Sequence, residues 1–278
     1  MRLGGALFGL VLLACLGLWL VGVRNVDAGA EALPTESGMP YDVFGRVLAL
    51  RVHAGRVDYT GLASDDEELR RFAATLAEHG PETTPALFPS QADREAWAIN
   101  AYNASVLLGV LEVWPTRSVH DVSGPLELRP GFGFFYALRF ALDGRRQNLY
   151  DFENDVVREF GDARVHAAIV CASASCPTLT SEPYLPETLE AQLDAAARAF
   201  ASEPRHVHIT PEAIELSAVY DWFADDFRAH ARQLGAGDEV LDWVAHYATP
   251  EVARALAAAR LAGLPVSYAD YDWALNGR

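Results

Sequence analysis

The sequence predicts an α+β fold: a single helix-rich mixed domain with a small, largely antiparallel sheet, which follows an N-terminal signal or anchor segment. Apolar residues recur at helical spacing along most of the chain. Two stretches instead alternate apolar and polar residues around turn signals, as hairpins do. The strand and helix patterns do not alternate in the order that a parallel α/β sheet requires. With 51% hydrophobic and 10% aromatic residues, the composition is typical of a packed globular protein.

The N-terminus carries an apolar stretch. Leu3 to Val23 contains no charged residue, and Arg2 precedes it. Such a run is typical of a signal peptide or of a membrane anchor, and the small residues from Ala28 to Ala30 suit a signal peptidase. Cleavage after Ala30 and retention of the run as an anchor are both open.

We therefore predict three segments. Residues 1–30 are the signal peptide or membrane anchor, residues 31–40 are a spacer, and residues 41–278 form the domain. The protein is expected to be exported, either periplasmic or membrane-anchored with the domain outside the cytoplasm. The membrane would be contacted only through the N-terminal segment.

The net charge restricts the classes of partner that the protein can bind. The formal net charge of −16 repels phosphate backbones, and no cluster of Lys and Arg offsets it. Nucleic acid is therefore excluded as a partner, and the substrate or envelope partner is left unknown.

The first half of the domain reads as helices. Tyr41 to Leu50 and Asp65 to Glu78 carry apolar residues at helical spacing, with a turn near Gly55 between them. A longer helix is predicted from Ser90 to Val113, because Ser90 and the residues after it form a capping box. Pro115 ends it.

In the middle of the chain, the spacing of the apolar residues changes. Leu138 to Tyr150 alternates around Asp143-Gly144, which predicts a β-hairpin, and Asp151 to Phe160 is predicted to be helical. Val165 to Cys171 is a continuous run of small and β-branched residues, which we interpret as a buried strand. The remaining predicted elements are a hairpin within Val207 to Leu216 and four helices: Leu189 to Phe200, Ser217 to Ala231, Asp238 to Tyr247 and Glu251 to Arg260.

Polar and thiol groups gather where the predicted strand Val165 to Cys171 ends. They are His166, Cys171, Ser173, Ser175 and Cys176. A loop at the end of a buried strand can present reactive atoms from rigid support. Cys171 is expected to be buried and Cys176 more exposed, and the two cysteines are either free or joined in a disulfide.

A metal site is not expected here. The His-x4-Cys-x4-Cys spacing supplies three ligands at most, and a strand would point His166 and Cys171 to opposite faces. The same geometry disfavours a direct catalytic pair between them. A histidine base for a thiolate could therefore also come from elsewhere in the chain: His120, His206 or His208.

Asn100 and Asn103 lie three positions apart and share one face of the long predicted helix. Asparagine is unfavourable inside a helix, so two on one face indicate a specific task. They either orient a catalytic group or tie neighbouring loops to the core. Asp151 and Glu153 begin the later short helix, where they complement the helix dipole or serve the site.

Five segments resemble the DUF547 family of uncharacterised proteins. The two most specific are Trp97 to Asn103, which is similar to the family's aromatic-Trp-Ile-Asn-x-Tyr-Asn helix, and Arg164 to Pro177, which is similar to its His-x-Ala-Leu-x-Cys segment and loop. Three further segments frame them: Val57 to Leu62, Tyr220 to Phe227 and Tyr271 to Asn276.

The resemblance implies that Cys171 matches the more constant cysteine and that the position of Cys176 is sometimes Ser. Relatives often carry His after the glutamate that matches Glu153, whereas this chain has Asn154. The resemblance therefore favours His166 as the histidine of the site. It also suggests, by analogy of fold alone, a core like that of cysteine proteases and transglutaminases.

These observations lead to one hypothesis and two alternatives. The leading hypothesis is a thiol-dependent hydrolase or acyl transferase of the cell envelope without a cofactor, in which Cys171 is the nucleophile. His166 would act as base or orienter, supported by Glu153, Asn100 and Asn103. The first alternative is a non-catalytic envelope module that binds a peptide, glycan or partner protein in the same groove. Thiol redox chemistry is weaker, because the spacing is not Cys-x-x-Cys.

Overall fold

The computed structural model describes residues 23–122 and 133–277, and it confirms a helix-rich α+β fold. The predicted signal or anchor run lies outside the described residues, except for Val23. Within the described parts of the chain, no helix is both long and apolar enough to span a membrane.

Four helices and a small hairpin form most of the first half. The hairpin strands are β2 (Val52–His53) and β3 (Arg56–Val57). As predicted, the capping box is present at Ser90, where the hydroxyl accepts from the amide of Asp93 and the Asp93 carboxylate accepts from the amide of Ser90. The helices are α1 (Tyr41–Arg51), α2 (Tyr59–Ser64), α3 (Glu67–Glu78) and α4 (Gln91–Glu112). Short 3₁₀ turns at Pro85–Leu87 and Val119–Asp121 and a π turn at Gly133–Ala137 connect the elements.

The predicted hairpin around Asp143-Gly144 is confirmed. It consists of β4 (Leu138–Leu142) and β5 (Arg145–Gln147), which are antiparallel. Asp143 and Gly144 both have positive φ, 52° and 75°, as the tight turn between twisted strands requires.

The sheet of this hairpin has a third strand that was not predicted. Strand β1 (Arg24–Val26) pairs in parallel with β4, and Val26 is buried in the core. The amide of Leu33, within the predicted spacer, donates to the Thr75 hydroxyl over 2.8 Å. Residues of β1 and Leu33 therefore contact the domain in this structure, and the division of the chain into leader, spacer and domain stays a prediction. A strand of three residues is too short to show an alternating pattern in the sequence.

The predicted strand from Val165 to Cys171 is wrong in its first part. Residues Val165–Ala168 form a single helical turn, α6, in which the amide of Ile169 donates to the carbonyl of Val165. The chain becomes extended only at Ile169, directly after this turn. A short apolar run fits a buried strand and a buried helical turn equally well, and here the preceding turn at Asp162 starts a helix.

Helices dominate the second half, as predicted. Helix α5 (Leu149–Phe152) continues through a π turn at Glu153–Val157 and a 3₁₀ turn at Arg158–Phe160. The further helices are α7 (Leu189–Phe200), α8 (Ala218–Trp222), α9 (Ala224–Gln233), α10 (Val240–Tyr247) and α11 (Pro250–Leu261). The predicted hairpin is β6 (Val207–Ile209) with β7 (Ile214–Leu216), and β8 (Val266–Tyr268) adds to it in parallel.

Two apolar cores lie in the domain. The first surrounds α4, whose residues from Glu95 to Val110 are all buried, and the second surrounds Trp243 and Phe227. The chain end returns across the first core, where the Tyr59 hydroxyl donates to the Asn276 side chain over 2.8 Å. This return brings residues 271–276 to the segment that follows α6.

Candidate functional site

The two cysteines of the domain lie in one cluster with two hydroxyls. The sulfur atoms of Cys171 and Cys176 are in contact, and their Cα atoms are 6.2 Å apart, a separation that suits a disulfide. Sγ of Cys171 lies 3.0 Å from Oγ of Ser173 and 3.1 Å from the hydroxyl of Tyr271. The Tyr271 hydroxyl also lies 3.3 Å from Sγ of Cys176. Tyr271 therefore joins both sulfurs and Ser173, and we call these four residues the thiol cluster.

The exposure of the two cysteines is the reverse of the prediction. Cys176 is only 3% exposed, whereas Cys171 is half-buried. The loop after Cys176 packs inward, since Pro177 and Leu179 are buried. Of the two cysteines, Cys171 is therefore the more exposed.

The backbone between Cys171 and Ser173 is strained. Ala172 has a φ of 62°, a left-handed conformation that residues with a Cβ rarely adopt, and it is completely buried. Its carbonyl accepts from the amide of Asn276 over 2.9 Å. Strained residues of this kind concentrate at functional sites, where the surrounding structure holds them.

Both predicted asparagines bind backbone. The side-chain amide of Asn103 donates to the carbonyl of Ala168 and its oxygen accepts from the amide of Val170, each over 3.0 Å. Asn100 makes the same pair of bonds with the carbonyl and amide of Tyr184, over 2.6 and 3.0 Å. Asn103 thus fixes the residue before Cys171, and Asn100 fixes the loop beyond Cys176. Each asparagine holds the segment that carries the thiol cluster and does not itself contact the sulfurs.

The buried His166 forms a dyad with the half-buried Asp226. Its Nε2 lies 2.8 Å from Oδ2 of Asp226, and its ring stacks on Phe223 with the centroids 4.0 Å apart. Arg158 donates two hydrogen bonds to the same carboxylate, over 2.7 and 2.9 Å. The bonds from His166 and Arg158 hold the pKa of Asp226 well below its usual range, although burial acts against this.

The second nitrogen of the His166 ring has no partner. Among the described residues, Nδ1 is buried without a hydrogen bond, and no hydrogen bond joins His166 to Cys171. Among the described residues, no hydrogen bond therefore joins the dyad to the thiol cluster, and His166 does not bond to Cys171 in this structure.

The carboxyl of Glu153 interacts electrostatically with His166 and Arg158 and with Tyr271. Its Oε2 accepts from the Tyr102 hydroxyl over 3.0 Å. Burial raises the pKa of the Glu153 carboxyl, while His166 and Arg158 oppose the rise. The Glu153 charge in turn contributes to the raised pKa of Tyr271, whose main cause is burial.

The other candidate residues lie around the cluster or away from it. Ser175 accepts from the amide of Asp272 over 2.9 Å, which anchors the chain end. His120 stacks on Trp273 with centroids 3.9 Å apart, next to Tyr271. His206 is buried beside Phe200, His208 is exposed on β6, and Asp151 accepts within the first turn of α5. Within residues 23–122 and 133–277, no group of three acidic, His or Cys side chains is arranged to hold a metal ion.

Four residues of the site were not predicted from the sequence. They are Tyr102, Arg158, Asp226 and Tyr271. Tyr102, Asp226 and Tyr271 belong to segments that resemble the family, which was the available signal. Their roles could not be assigned from the sequence, because each of them contacts a residue that is distant in the chain.

Comparison with known proteins gives a family match over part of the chain and no activity. Residues 88–201 match the family model DUF547, described as a protein of unknown function. This match spans α4, the asparagines, Glu153, His166 and both cysteines of the cluster. No curated protein and no solved structure matches the chain.

Proposed function

We propose that this chain, a member of the DUF547 family through residues 88–201, is a thiol-dependent hydrolase or acyl transferase that acts outside the cytoplasm at the cell envelope. The observation that supports the proposal is the half-buried Cys171 sulfur, held by the hydroxyls of Ser173 and Tyr271 at 3.0 and 3.1 Å. A half-buried cysteine whose sulfur lies between two fixed hydroxyls is suited to nucleophilic attack.

The reaction would proceed in two steps. Sγ of Cys171 attacks the carbonyl carbon of an ester, thioester or amide, and the bond from this carbon to the leaving group breaks. The leaving group departs with the proton that the thiol has given up, and an acyl thioester remains on Cys171. The hydroxyls of Ser173 and Tyr271 donate hydrogen bonds to the negative charge that develops. Water or a second nucleophile then takes the acyl group and returns the thiol.

The thiol proton needs an acceptor. Glu153 fits this role, because its raised pKa makes the carboxyl a better proton acceptor near neutral pH and because it interacts with Tyr271. His166 and Asp226 are positioning residues that bias the charge of Glu153. Asn103 is a positioning residue for the backbone that leads into Cys171.

The proposed chemistry requires the reduced form of the cluster. When Cys171 and Cys176 are paired in a disulfide, neither sulfur can attack a carbonyl. Assays therefore need a thiol reductant, and the oxidised protein serves as the inactive reference.

Acylation with p-nitrophenyl acetate tests the proposal. After reduction and removal of the reductant, the protein is expected to acquire one acetyl group on Cys171, identified by peptide mass spectrometry, and to release p-nitrophenolate faster than N-acetylcysteine does. Cys171→Ser should remove the adduct, whereas Cys176→Ser should keep it. Acylation no faster than that of N-acetylcysteine, or located elsewhere, would overturn the proposal.

A non-catalytic envelope module is the second candidate, and one surface supports it. Trp222, 48% exposed, contacts Tyr271 and Trp273 with centroids 4.7 and 5.7 Å away, next to the thiol cluster. Exposed aromatic rings of this kind bind peptides and sugars. Capture of an oligosaccharide or peptide that Trp222→Ala abolishes, together with an unreactive Cys171, would favour this candidate over the enzyme.

A further inference from the structure

Three aromatic rings lie beside the thiol cluster and form a surface that we call the aromatic shelf. They belong to Trp222, at the end of helix α8, and to Tyr271 and Trp273 of the returning chain end. Between ring centroids, Trp222 lies 4.7 Å from Tyr271 and 5.7 Å from Trp273, and the last two are 4.5 Å apart. Rings at these separations contact one another, so a ligand meets only their outer surface, where Trp222 is 48% exposed.

The aromatic shelf continues into the thiol cluster through Tyr271. The hydroxyl of Tyr271 lies 3.1 Å from Sγ of Cys171, and its ring contacts Trp222. Two backbone contacts fix this segment on the loop of the cluster: the amide of Asp272 donates to the Ser175 hydroxyl over 2.9 Å, and the amide of Ser175 donates to the Asp272 carbonyl over 3.2 Å. A molecule whose carbonyl lies at Cys171 can therefore reach the shelf with a short substituent.

The segments that carry the shelf also carry exposed carboxylates. Three of them, each next to a ring of the shelf in sequence, are Asp221, Asp270 and Asp272. Among the described residues, none of these three carboxylates forms an ion pair. The Asp272 carboxylate accepts from the amide of Ala274 over 2.9 Å, which fixes it in the turn that carries two of the rings.

The arginines of this region do not neutralise the three carboxylates. Arg228 pairs with Asp225 over 3.3 Å, and Arg205, which bonds to the loop of the cluster, pairs with Glu203 over 2.8 Å. Arg117 lies beside the returning chain end through a backbone bond, is exposed, and forms no ion pair with a described residue. Because it offsets one carboxylate at most, the surroundings of the shelf stay negative.

An exposed indole in negative surroundings favours an organic cation. The face of an aromatic ring is negative and attracts ammonium groups, and tryptophan does so more strongly than tyrosine or phenylalanine. An anion would be repelled by the ring face and by the carboxylates, and an uncharged group would gain from the ring alone.

We propose that the aromatic shelf binds the ammonium group, primary or quaternary, of the molecule on which Cys171 acts. The inference names the substrate class of the thiol cluster and rests on the proposed function in that respect. Binding of the cation to Trp222 does not itself require the thiol, so the two can be tested separately.

Three probes of nearly the same shape and different charge test the ligand class. They are choline, the uncharged 3,3-dimethylbutanol and the anionic 3,3-dimethylbutanoate, each titrated into the full chain and followed by ligand-observed NMR. None of them donates an acyl group, so the measurement reports binding alone. Choline should bind about fivefold or more tighter than the alcohol, and the anion should bind most weakly. Choline binding no tighter than that of the alcohol would overturn the proposal.

Matched variants test the location. Trp222→Ala should weaken choline about fivefold or more, and Trp222→Phe, which keeps a ring, should weaken it less. Asp221→Asn combined with Asp272→Asn should weaken choline and leave 3,3-dimethylbutanol unchanged. Tyr150→Ala and Asp238→Asn are the controls, because both residues are exposed and neither belongs to the shelf. Unchanged choline binding in both Trp222→Ala and the double aspartate variant would place the cation elsewhere and overturn the assignment.

Acylation of the reduced protein separates this inference from the proposed activity. Acetylthiocholine and the uncharged S-(3,3-dimethylbutyl) thioacetate each give an acetyl group to Cys171, and the released thiol leaves with the proton of Cys171. After division by the rate with N-acetylcysteine, the cationic thioester should react several-fold faster, and Trp222→Ala should remove this preference. If neither thioester acetylates Cys171 but choline binds at Trp222, the proposed activity fails and the cation site stands. If both react equally and choline does not bind, the activity stands and this inference falls.

Discussion

The backbone amide of Cys171 donates a hydrogen bond to Sγ of Cys176, with the nitrogen and the sulfur 2.8 Å apart. The Tyr271 hydroxyl lies on the same sulfur at 3.3 Å. Cys176 therefore accepts from two donors of the site, while the sulfur of Cys171 contacts the hydroxyls of Ser173 and Tyr271. Because Cys176 is 3% exposed and Cys171 is half-buried, Cys171 is the cysteine that we propose as the nucleophile.

Alkylation rates are expected to differ between the two sulfurs. In the reduced, folded protein, iodoacetamide should modify Cys171 at least about tenfold faster than Cys176, because only Cys171 is accessible to solvent. Peptide mass spectrometry over a time course gives both rates. In urea the two rates should become equal. Faster modification of Cys176 in the folded protein would contradict the proposed roles.

Tyr271→Phe should slow the alkylation of Cys171. The change removes the hydroxyl that lies 3.1 Å from Sγ of Cys171 and thereby one donor to its thiolate. We expect the rate at neutral pH to fall by about tenfold while the melting temperature changes little. Tyr150→Phe is the control, since Tyr150 is 46% exposed and outside the cluster. An unchanged rate would show that Tyr271 does not stabilise the sulfur.

Asn103→Ala should lower both stability and reactivity. It leaves the carbonyl of Ala168 and the amide of Val170 without their buried partner, at a cost of about 1–3 kcal/mol in the free energy of unfolding. Urea denaturation measures this cost. Because Val170 precedes Cys171, the acylation rate should fall as well. The control is Asn154→Ala, whose amide bonds only to the preceding helical turn and to Arg158. If Asn103→Ala lowers the free energy of unfolding no more than Asn154→Ala does, the proposed role of the buried Asn103 side chain is contradicted.

Local pattern was enough to predict most helices and both longer hairpins. The capping box at Ser90, the period of α3 and the Asp143-Gly144 turn each specify their element within a few residues. Val165–Ala168 was mistaken for a strand because such a short buried run of mostly apolar residues satisfies either geometry. Strand β1 was missed because its stability comes from pairing with Leu138–Phe140, over a hundred residues away.

The site was predictable only where its residues are neighbours in sequence. Cys171, Ser173 and Cys176 form one loop, and their proximity follows from the sequence. Tyr271 contacts Cys171 across 100 positions, and Asp226 contacts His166 across 60. Such pairs depend on how the chain end and α9 pack, which no local pattern encodes. The same holds for the exposure of the cysteines, which depends on how the loop after Cys176 packs inward.

Removing residues 1–30 should destabilise the domain, whereas removing residues 1–22 should not. The longer deletion eliminates β1, exposes the position of the buried Val26 and removes the ion pair between Asp27 and Arg146. Loss of the valine alone is expected to cost about 1.5–3 kcal/mol. Thermal and urea unfolding of the two truncated chains measure the difference. Equal stability would show that residues 23–30 are dispensable, and cleavage after Ala30 would then remain compatible with the fold.

The final prediction concerns the buried carboxyl of Glu95. Burial, with a smaller contribution from Asp162, raises its pKa from 4.5 to about 7. Between pH 4.5 and about pH 7, Glu95 keeps its proton in the native state but releases it in the unfolded chain. The free energy of unfolding therefore falls as the pH rises through this range, by up to about 3 kcal/mol in total. Above about pH 7, this contribution changes no further. Glu95→Gln should abolish this contribution and gain stability over the wild type from about pH 5 to about pH 8 in urea denaturation. The exposed Glu78→Gln is the control. If the difference in the free energy of unfolding between Glu95→Gln and the wild type stays constant across this pH range, the raised pKa of Glu95 is refuted.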